Sequence, residues 1–230
     1  MHIQSENVVL TATQNELLEA HLLGILEANK IHNLTRITSL EEGVILHIED
    51  SLSGLPEFND APEGSYADLG TGGGFPGIPL AIMSGRKTLL VDSVKKKVAV
   101  LASLVDTLGL SDQIDTYGGR IEDLALDHRS AFAVVTARAL SSLPSLMELS
   151  APLLKQGGFL ICYKARITDE EIENAQRLEK KLGMHFHSRR NFILSDGVTE
   201  RCILVFIKKG KPKVSLPRRC GMAQKTPYTA

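Results

Sequence analysis

The sequence predicts an α/β fold: a mainly parallel, seven-stranded sheet covered by helices on both faces and preceded by a small helical extension. Three observations carry this. From residue 66 onward, short apolar runs alternate with amphipathic stretches, the pattern of successive βα units. A glycine-rich turn, Asp68-Leu69-Gly70-Thr71-Gly72-Gly73-Gly74, follows the first run and precedes an apolar stretch over 78–83, so it reads as strand, turn and helix. The last two apolar runs have no helix between them, which implies an antiparallel hairpin at one sheet edge.

The elements follow in order. Thr13-Gln14-Asn15-Glu16 reads as a capping box. Leu17, Leu18, Leu22, Ile25 and Leu26 then recur at helical spacing, so the first helix is amphipathic. A second helix is expected over 40–52. Residues 56–65 contain two prolines and a glycine among polar residues and read as a linker, separating an N-terminal helical extension (1–55) from the main domain (65–210). Strands are expected at 66–69, 87–91, 113–117, 132–137 and 159–163, and the closing pair at 186–194 and 202–208 brings the total to seven. The helices between them cover 94–108, closed by Gly109, then 143–154, stopped by Gly157-Gly158, and 168–182. Residues 211–230 form a basic tail.

Composition narrows the function classes. At 230 residues and 43% hydrophobic content the chain can bury one sizeable core. Cys162, Cys202 and Cys220 form no CxxC pair, which argues against a disulfide framework or zinc site, and the first two sit in apolar runs as core thiols. No metal is expected: His185 and His187 share a strand face, but no further ligand set accompanies them. No apolar stretch reaches membrane-spanning length, and residues 1–6 lack the basic start and apolar run of a signal peptide. A cytoplasmic monomer with no membrane contact is the expectation. The net charge of −1 hides an asymmetry: eight basic and no acidic residues follow Glu200, leaving 18 basic against 27 acidic residues before it. A basic tail on an acidic body points to a polyanionic partner, with a solvated extension as the plain alternative.

The chemistry-bearing residues cluster at strand ends. An acid two positions before a G-x-G-x-G run, here Asp68 before Gly70, Gly72 and Gly74, is typical of S-adenosylmethionine-dependent methyltransferases. Glycine lets the backbone turn and approach a ligand closely. The following helix N-terminus suits the donor's carboxylate, and Asp68 has the charge to meet its ammonium. The overlapping Gly72-Gly73-Gly74-Phe75-Pro76-Gly77 also satisfies the dinucleotide fingerprint, but its first glycine falls beyond the expected strand end. Asp92, ending the second strand, is placed to accept hydrogen bonds from ribose hydroxyls or to cap the next helix. In Gly118-Gly119-Arg120-Ile121-Glu122, Ile121 can pack on an adenine ring, or the segment is an ordinary βα turn. Arg138, flanked by alanines at the end of the fourth strand, can meet a carboxylate or phosphate, or pair on the surface. Neither G-x-S-x-G nor H-E-x-x-H is present, and no covalent nucleophile stands out.

Taken together, the chain resembles the small-subunit ribosomal RNA methyltransferase G family, also called glucose-inhibited division protein B. The resemblance runs through Asn33-Leu34-Thr35, His47 with Asp50-Ser51, and residues 68–79 with their Gly-Phe-Pro-Gly-Ile-Pro-Leu string. It continues through Leu90-Val91-Asp92-Ser93, Lys97-Val98, Arg120-Ile121-Glu122 and Arg138-Ala139, and ends in Glu200-Arg201 and Pro217-Arg218-Arg219 before Gly221. Two departures, Leu46 where the family often has Arg and Lys164-Ala165 where it often has Lys-Gly, lie outside the glycine turn.

The resemblance implies a class I, Rossmann-like methyltransferase domain using S-adenosyl-L-methionine. It further implies methylation of a guanine N7 in the decoding-region loop of 16S ribosomal RNA, with the small ribosomal subunit as partner. By analogy Gly70, Phe75, Ile121, Glu122 and Arg138 join Asp68, Gly72 and Asp92 in the donor site. Arg218 and Arg219 are the first candidates for RNA phosphates. Guanine N7 already presents a lone pair, so no general base is required and no catalytic residue is named. The alternatives are the same donor chemistry on another RNA, a protein or a small molecule, a dinucleotide oxidoreductase, or a non-catalytic RNA-binding module.

Overall fold

The computed structural model describes residues 8–229; the segment on which the signal-peptide reading rests lies outside them. The helix α1, Ala12–His32, is capped two residues before the expected cap at Thr13. Thr11 is the N-cap: its side chain accepts from the Gln14 N–H, and the Gln14 side chain accepts from the Thr11 N–H. Asn33 closes the helix in the left-handed conformation. The second expected helix is present but interrupted. Leu40–Gly43 (α2) and Asp50–Leu52 (α3) are α-helical, and Val44–Glu49 between them is π-helical. The expected linker is instead a short helix, α4 (Leu55–Asp60), whose Pro56 occupies the first turn, where its missing N–H costs no helical bond.

The domain then builds β1 (Tyr66–Leu69), α5 (Gly77–Ser84), β2 (Thr88–Asp92), α6 (Lys95–Thr107), β3 (Ile114–Gly118), α7 (Ile121–Asp127), β4 (Phe132–Arg138), α8 (Leu143–Ser150) and β5 (Leu154–Lys164). It closes with α9 (Asp169–Arg177), α10 (Glu179–Leu182), β6 (Met184–Ile193), β7 (Glu200–Lys208) and α11 (Met222–Lys225). Two further helices end or break earlier than expected. The helix before β5 ends at Ser150 and Gly157-Gly158 lies inside the strand, at a register irregularity between β4 and β5. The helix expected over 168–182 is split at Leu178.

The sheet order is β3-β2-β1-β4-β5-β7-β6, with β7 antiparallel to both neighbours and the other pairings parallel. Two apolar layers flank it. One holds Leu146, Met147, Leu178 and Leu182 against Val135, Leu160 and Leu204. The other joins Leu18, Leu22, Ile25, Ile48 and Leu52 of the extension and Phe58 of α4 to Tyr66, Ile78, Leu90 and Leu101 in a single buried cluster. The extension is therefore part of the domain's core. Polar contacts reinforce this: Tyr163 Oη donates to the Ser51 carbonyl at 2.9 Å, and Arg190 pairs with Glu57 through two contacts of 2.7 and 2.8 Å.

The glycine turn depends on one close approach. A Cβ at Gly77 would sit 2.4 Å from Leu90 Cδ2 and 2.8 Å from Asp68 Oδ2, so only glycine lets α5 start this close to β1 and β2. Among the described residues, no helix is long and apolar enough to cross a membrane.

Candidate functional site

The strand order reverses between β1 and β4, and ligands of open α/β sheets bind in the crevice beyond the strand ends at such a reversal. A cavity of about 170 Å³ lies there. Gly70 after β1, Asp92 and Ser93 after β2, Gly119 through Glu122 after β3, and Ala139 and Leu140 after β4 all line it, together with Leu149 and Gln224. Four of the eight residues read from the sequence as donor contacts, Gly70, Asp92, Ile121 and Glu122, thus meet in one place. Gly70 has φ +72°, and a Cβ there would lie 2.8 Å from Leu140 Cδ1. Ala139 is held at φ 54°, a conformation uncommon for a residue with a Cβ and found preferentially at ligand sites.

The other four residues do not line the cavity. Asp68 is fully buried, and burial raises its carboxyl pKa. Its carboxylate accepts from Thr136 Oγ1 at 2.6 Å and from the Gly77 N–H at 3.0 Å. The N-terminus of α5, expected to receive the donor's carboxylate, therefore already receives Asp68. A pyrophosphate at that terminus would meet a buried carboxylate, which removes the dinucleotide reading of Gly72–Gly77. The Gly72 N–H donates to Asp92 Oδ2 at 3.1 Å, while Asp92 Oδ1 accepts from the Val94 N–H at 2.8 Å. Asp92 thus ties the glycine turn to the start of α6 and lines the cavity as well.

Phe75 is buried between two histidines of the extension, its ring centroid 4.3 Å from those of His21 and His47. His21 Nε2–H donates to the Gly73 carbonyl at 2.9 Å. His47 Nε2–H donates to Thr35 Oγ1 at 2.8 Å, and its Nδ1 accepts from Arg138 Nη2 at 3.4 Å. Burial holds both imidazoles neutral, at pKa about 4 for His21 and about 3 for His47, where the nearby Arg138 charge adds to the effect. Sequence reading passed over His21 because one histidine on an apolar helix face carries no pattern of its own.

Arg138 does not project alone from the end of β4. Its Nη1 donates to Asp50 Oδ2 at 2.9 Å and to the Leu46 carbonyl at 3.2 Å, while Arg201 Nε donates to Asp50 Oδ1 at 3.0 Å. One buried carboxylate is shared by two guanidinium groups. The π-helical turn over Val44–Glu49 places the Leu46 carbonyl, His47 and Asp50 on the same arginine; π segments often mark functional positions. Arg201 also lines an open groove of about 660 Å³ beyond the ends of β5 and β6, with Arg166, Arg189 and Phe192 among its other walls.

The basic tail is docked on the domain. Arg218 forms a two-pronged pair with the buried Glu148 carboxylate, at 2.6 and 2.5 Å, and lies over the Tyr228 ring at 4.0 Å. Arg219 is exposed beside it. Of the two arginines proposed for RNA phosphates, Arg218 is therefore already engaged, and pairing with Glu148 raises its pKa further. Cys162 and Cys202 are buried free thiols, as expected.

Comparisons with known proteins identify the relatives of this chain. A family model described as rRNA small subunit methyltransferase G matches residues 14–193. A protein of Carboxydothermus hydrogenoformans named ribosomal RNA small subunit methyltransferase G is 35% identical over 215 residues, spanning 92% of this chain and 91% of that protein. A protein of the same name from Lachnoclostridium phytofermentans is 35% identical over 228 residues, spanning 98% and 94%. Among solved structures, an O-methyltransferase from Bacillus cereus in complex with SAH superposes with a TM-score of 0.58 at 17% identity, covering 88% of this chain and 94% of that one. The [4+2]-cyclase SpnF gives the same TM-score at 16% identity, covering 90% and 99%. A cyclase on this fold shows that the fold alone leaves the reaction open.

Proposed function

This chain belongs to the rRNA small subunit methyltransferase G family, and on that premise we propose that it transfers the methyl group of S-adenosylmethionine to N7 of a guanine in the decoding-region loop of 16S ribosomal RNA. The observation that carries the reading is the cavity at the strand-order reversal, which gathers Gly70, Asp92, Ile121 and Glu122.

These residues fit the donor. Asp92 offers a carboxylate to ribose hydroxyls, Ile121 an apolar face to adenine, and Gly70 a backbone that a ligand can approach without a Cβ between them. Gly72 joins them through its bond to Asp92, while Asp68 and Phe75 hold the turn from behind. The bound donor supplies an electrophilic methyl group on a sulfonium.

The chain's own contribution is placement. Guanine N7 has a free lone pair, so attack needs no proton removed and no side chain has to act as base. Rate enhancement then comes from holding N7 in line with the methyl group. Arg138 immediately precedes Ala139 and Leu140 of the cavity lining and is linked through Asp50 to Arg201, which lines the open groove. In this reading the acceptor loop enters along the groove, where Arg166 and Arg189 meet phosphates, with the exposed Arg219 of the tail as a further contact. The working unit is a cytoplasmic monomer acting on the small ribosomal subunit.

The test is to incubate the protein with labelled S-adenosylmethionine and small subunits from cells lacking this gene, then map the label. One labelled N7-guanine in the decoding-region loop is the expected result. Label at another position would replace the acceptor, and label absent from RNA would move the search to proteins and small molecules. The groove makes its own prediction. The double variant Arg166→Ala/Arg189→Ala should weaken RNA binding at every sequence and reduce the slope of log K against log salt by about 2, close to 1 for each phosphate no longer neutralised. An unchanged slope would move the RNA path away from the groove.

A further inference from the structure

The basic tail reads from sequence as an arm for a polyanion, yet its last turn of helix stands at the candidate donor cavity. Gln224 lines that cavity together with Gly70, Asp92 and Ile121. Two contacts hold it there: the Gly221 N–H donates to Glu122 Oε1 at 2.5 Å, and Arg120 Nη2 donates to Gln224 Oε1 at 3.2 Å. A third, from Cys220 Sγ to Asp123 Oδ1 at 3.3 Å, fastens the same turn to the start of α7. Behind these, Leu216 and Ala223 are buried, and Arg218 is clamped between Glu148 and the Tyr228 ring.

We propose that the segment around Gly221–Gln224 is a wall of the donor site and that Gln224 is a donor-binding residue, its amide NH₂ donating to an acceptor atom of the nucleoside. The inference rests on reading the cavity as the donor site. A guanidinium can only donate, so the Gln224 atom facing Arg120 is the oxygen. The two N–H donors of the amide are then what Gln224 can offer a ligand in the cavity. Adenine ring nitrogens and ribose oxygens are acceptors of matching chemistry. Tail docking and donor binding are coupled in this arrangement: whatever undocks the tail loosens the donor, and the bound donor holds the tail down.

The experiment is calorimetric titration of the full-length protein with S-adenosylhomocysteine in the absence of RNA, which separates a donor wall from an RNA arm. Gln224→Ala is expected to weaken binding by up to about tenfold, the upper end of what one net hydrogen bond contributes. Gln224→Glu keeps the shape and the Arg120 contact but removes the NH₂, and should lose as much. Arg218→Ala, which releases the tail from α8 outside the cavity, should also weaken binding. Lys211→Ala, a change of tail charge alone, should leave it unchanged. Because Gln224 is exposed, its variants should melt at the wild-type temperature without ligand. Wild-type affinity in Gln224→Ala, or in Gln224→Glu, would overturn the donor role of Gln224 and leave the donor reading of the cavity intact. Failure of the wild-type protein to bind S-adenosylhomocysteine would remove that reading itself.

Discussion

Asp50→Ala is expected to lower stability by about 3–5 kcal/mol and to abolish methyl transfer, the largest single-residue effect the structure implies. Asp50 is buried, and it is paired with two largely buried arginines: Arg138 through Oδ2 at 2.9 Å and Arg201 through Oδ1 at 3.0 Å. Removing the carboxylate leaves two cations with little water and no counter-charge between them. That costs far more than the net worth of either pair. The Leu46 carbonyl and His47 Nδ1 would still face Arg138, but a carbonyl and a neutral imidazole do not replace an anion. The loss of activity follows from position: Arg138 immediately precedes Ala139 and Leu140, which line the cavity. Asp50→Asn keeps the side chain's size and one acceptor oxygen, and should fall between wild type and Asp50→Ala. Urea titration of the three proteins measures the order. A loss below about 1 kcal/mol for Asp50→Ala would mean the arginines reach water and the network is a surface one.

The second large effect is one of pH. Acidification from pH 7 to pH 4 is expected to remove about 3 kcal/mol of stability through His21 alone, since 1.36 kcal/mol accompanies each unit by which its pKa is displaced. In the unfolded chain His21 takes its proton near 6.5; in the fold, burial lowers that to about 4. Between those values the unfolded state binds the extra proton. The contribution is therefore fully present above pH 6.5 and is lost as pH falls toward 4. His47, lowered to about 3 by burial and then by Arg138, acts in the same direction. The charged state has a structural cost that identifies the site: His21 Nε2–H already holds the Gly73 carbonyl, and Nδ1 has no partner among the described residues to receive a proton's charge. His21→Gln can keep the donor to Gly73 without titrating, so its stability should decline less between pH 6.5 and pH 4 than that of the wild type. Parallel curves for the two proteins would show that His21 is not held neutral by the fold. The same acid step should loosen the glycine turn, seen as weaker donor binding before the protein unfolds.

Much of this molecule is legible locally. The βα alternation from residue 66, the strand-ending Asp92, and the two final strands without a helix predict the seven strands and the position of the cavity. They do so because periodicity, glycine and chain breaks act within a few residues of themselves. Errors arise where a distant group decides. Residues 56–65 look like a linker by composition, yet Phe58 is buried against Tyr66 and Glu57 against Arg190, so α4 forms on the domain. The stretch over 40–52 looks like a plain helix, yet Arg138, 88 positions from Asp50, meets a π-helical turn there. Arg218 looks like a free cation until Glu148, 70 positions away, is found beneath it.

The sequence by itself determined the fold class, the family and the strand ends at which the cavity opens. These rest on hydrophobic period, glycine placement and an ordered set of motifs, all of which are properties of neighbouring residues. Only the tertiary structure decided which charges neutralise one another. It set Asp68 against the start of α5, Asp50 between two arginines, His21 and His47 around Phe75, and Gln224 at the cavity. The physical reason is that a charge or a ring carries no record of its partner: pairing depends on distance and burial, and the chain brings those residues together only after the sheet has formed.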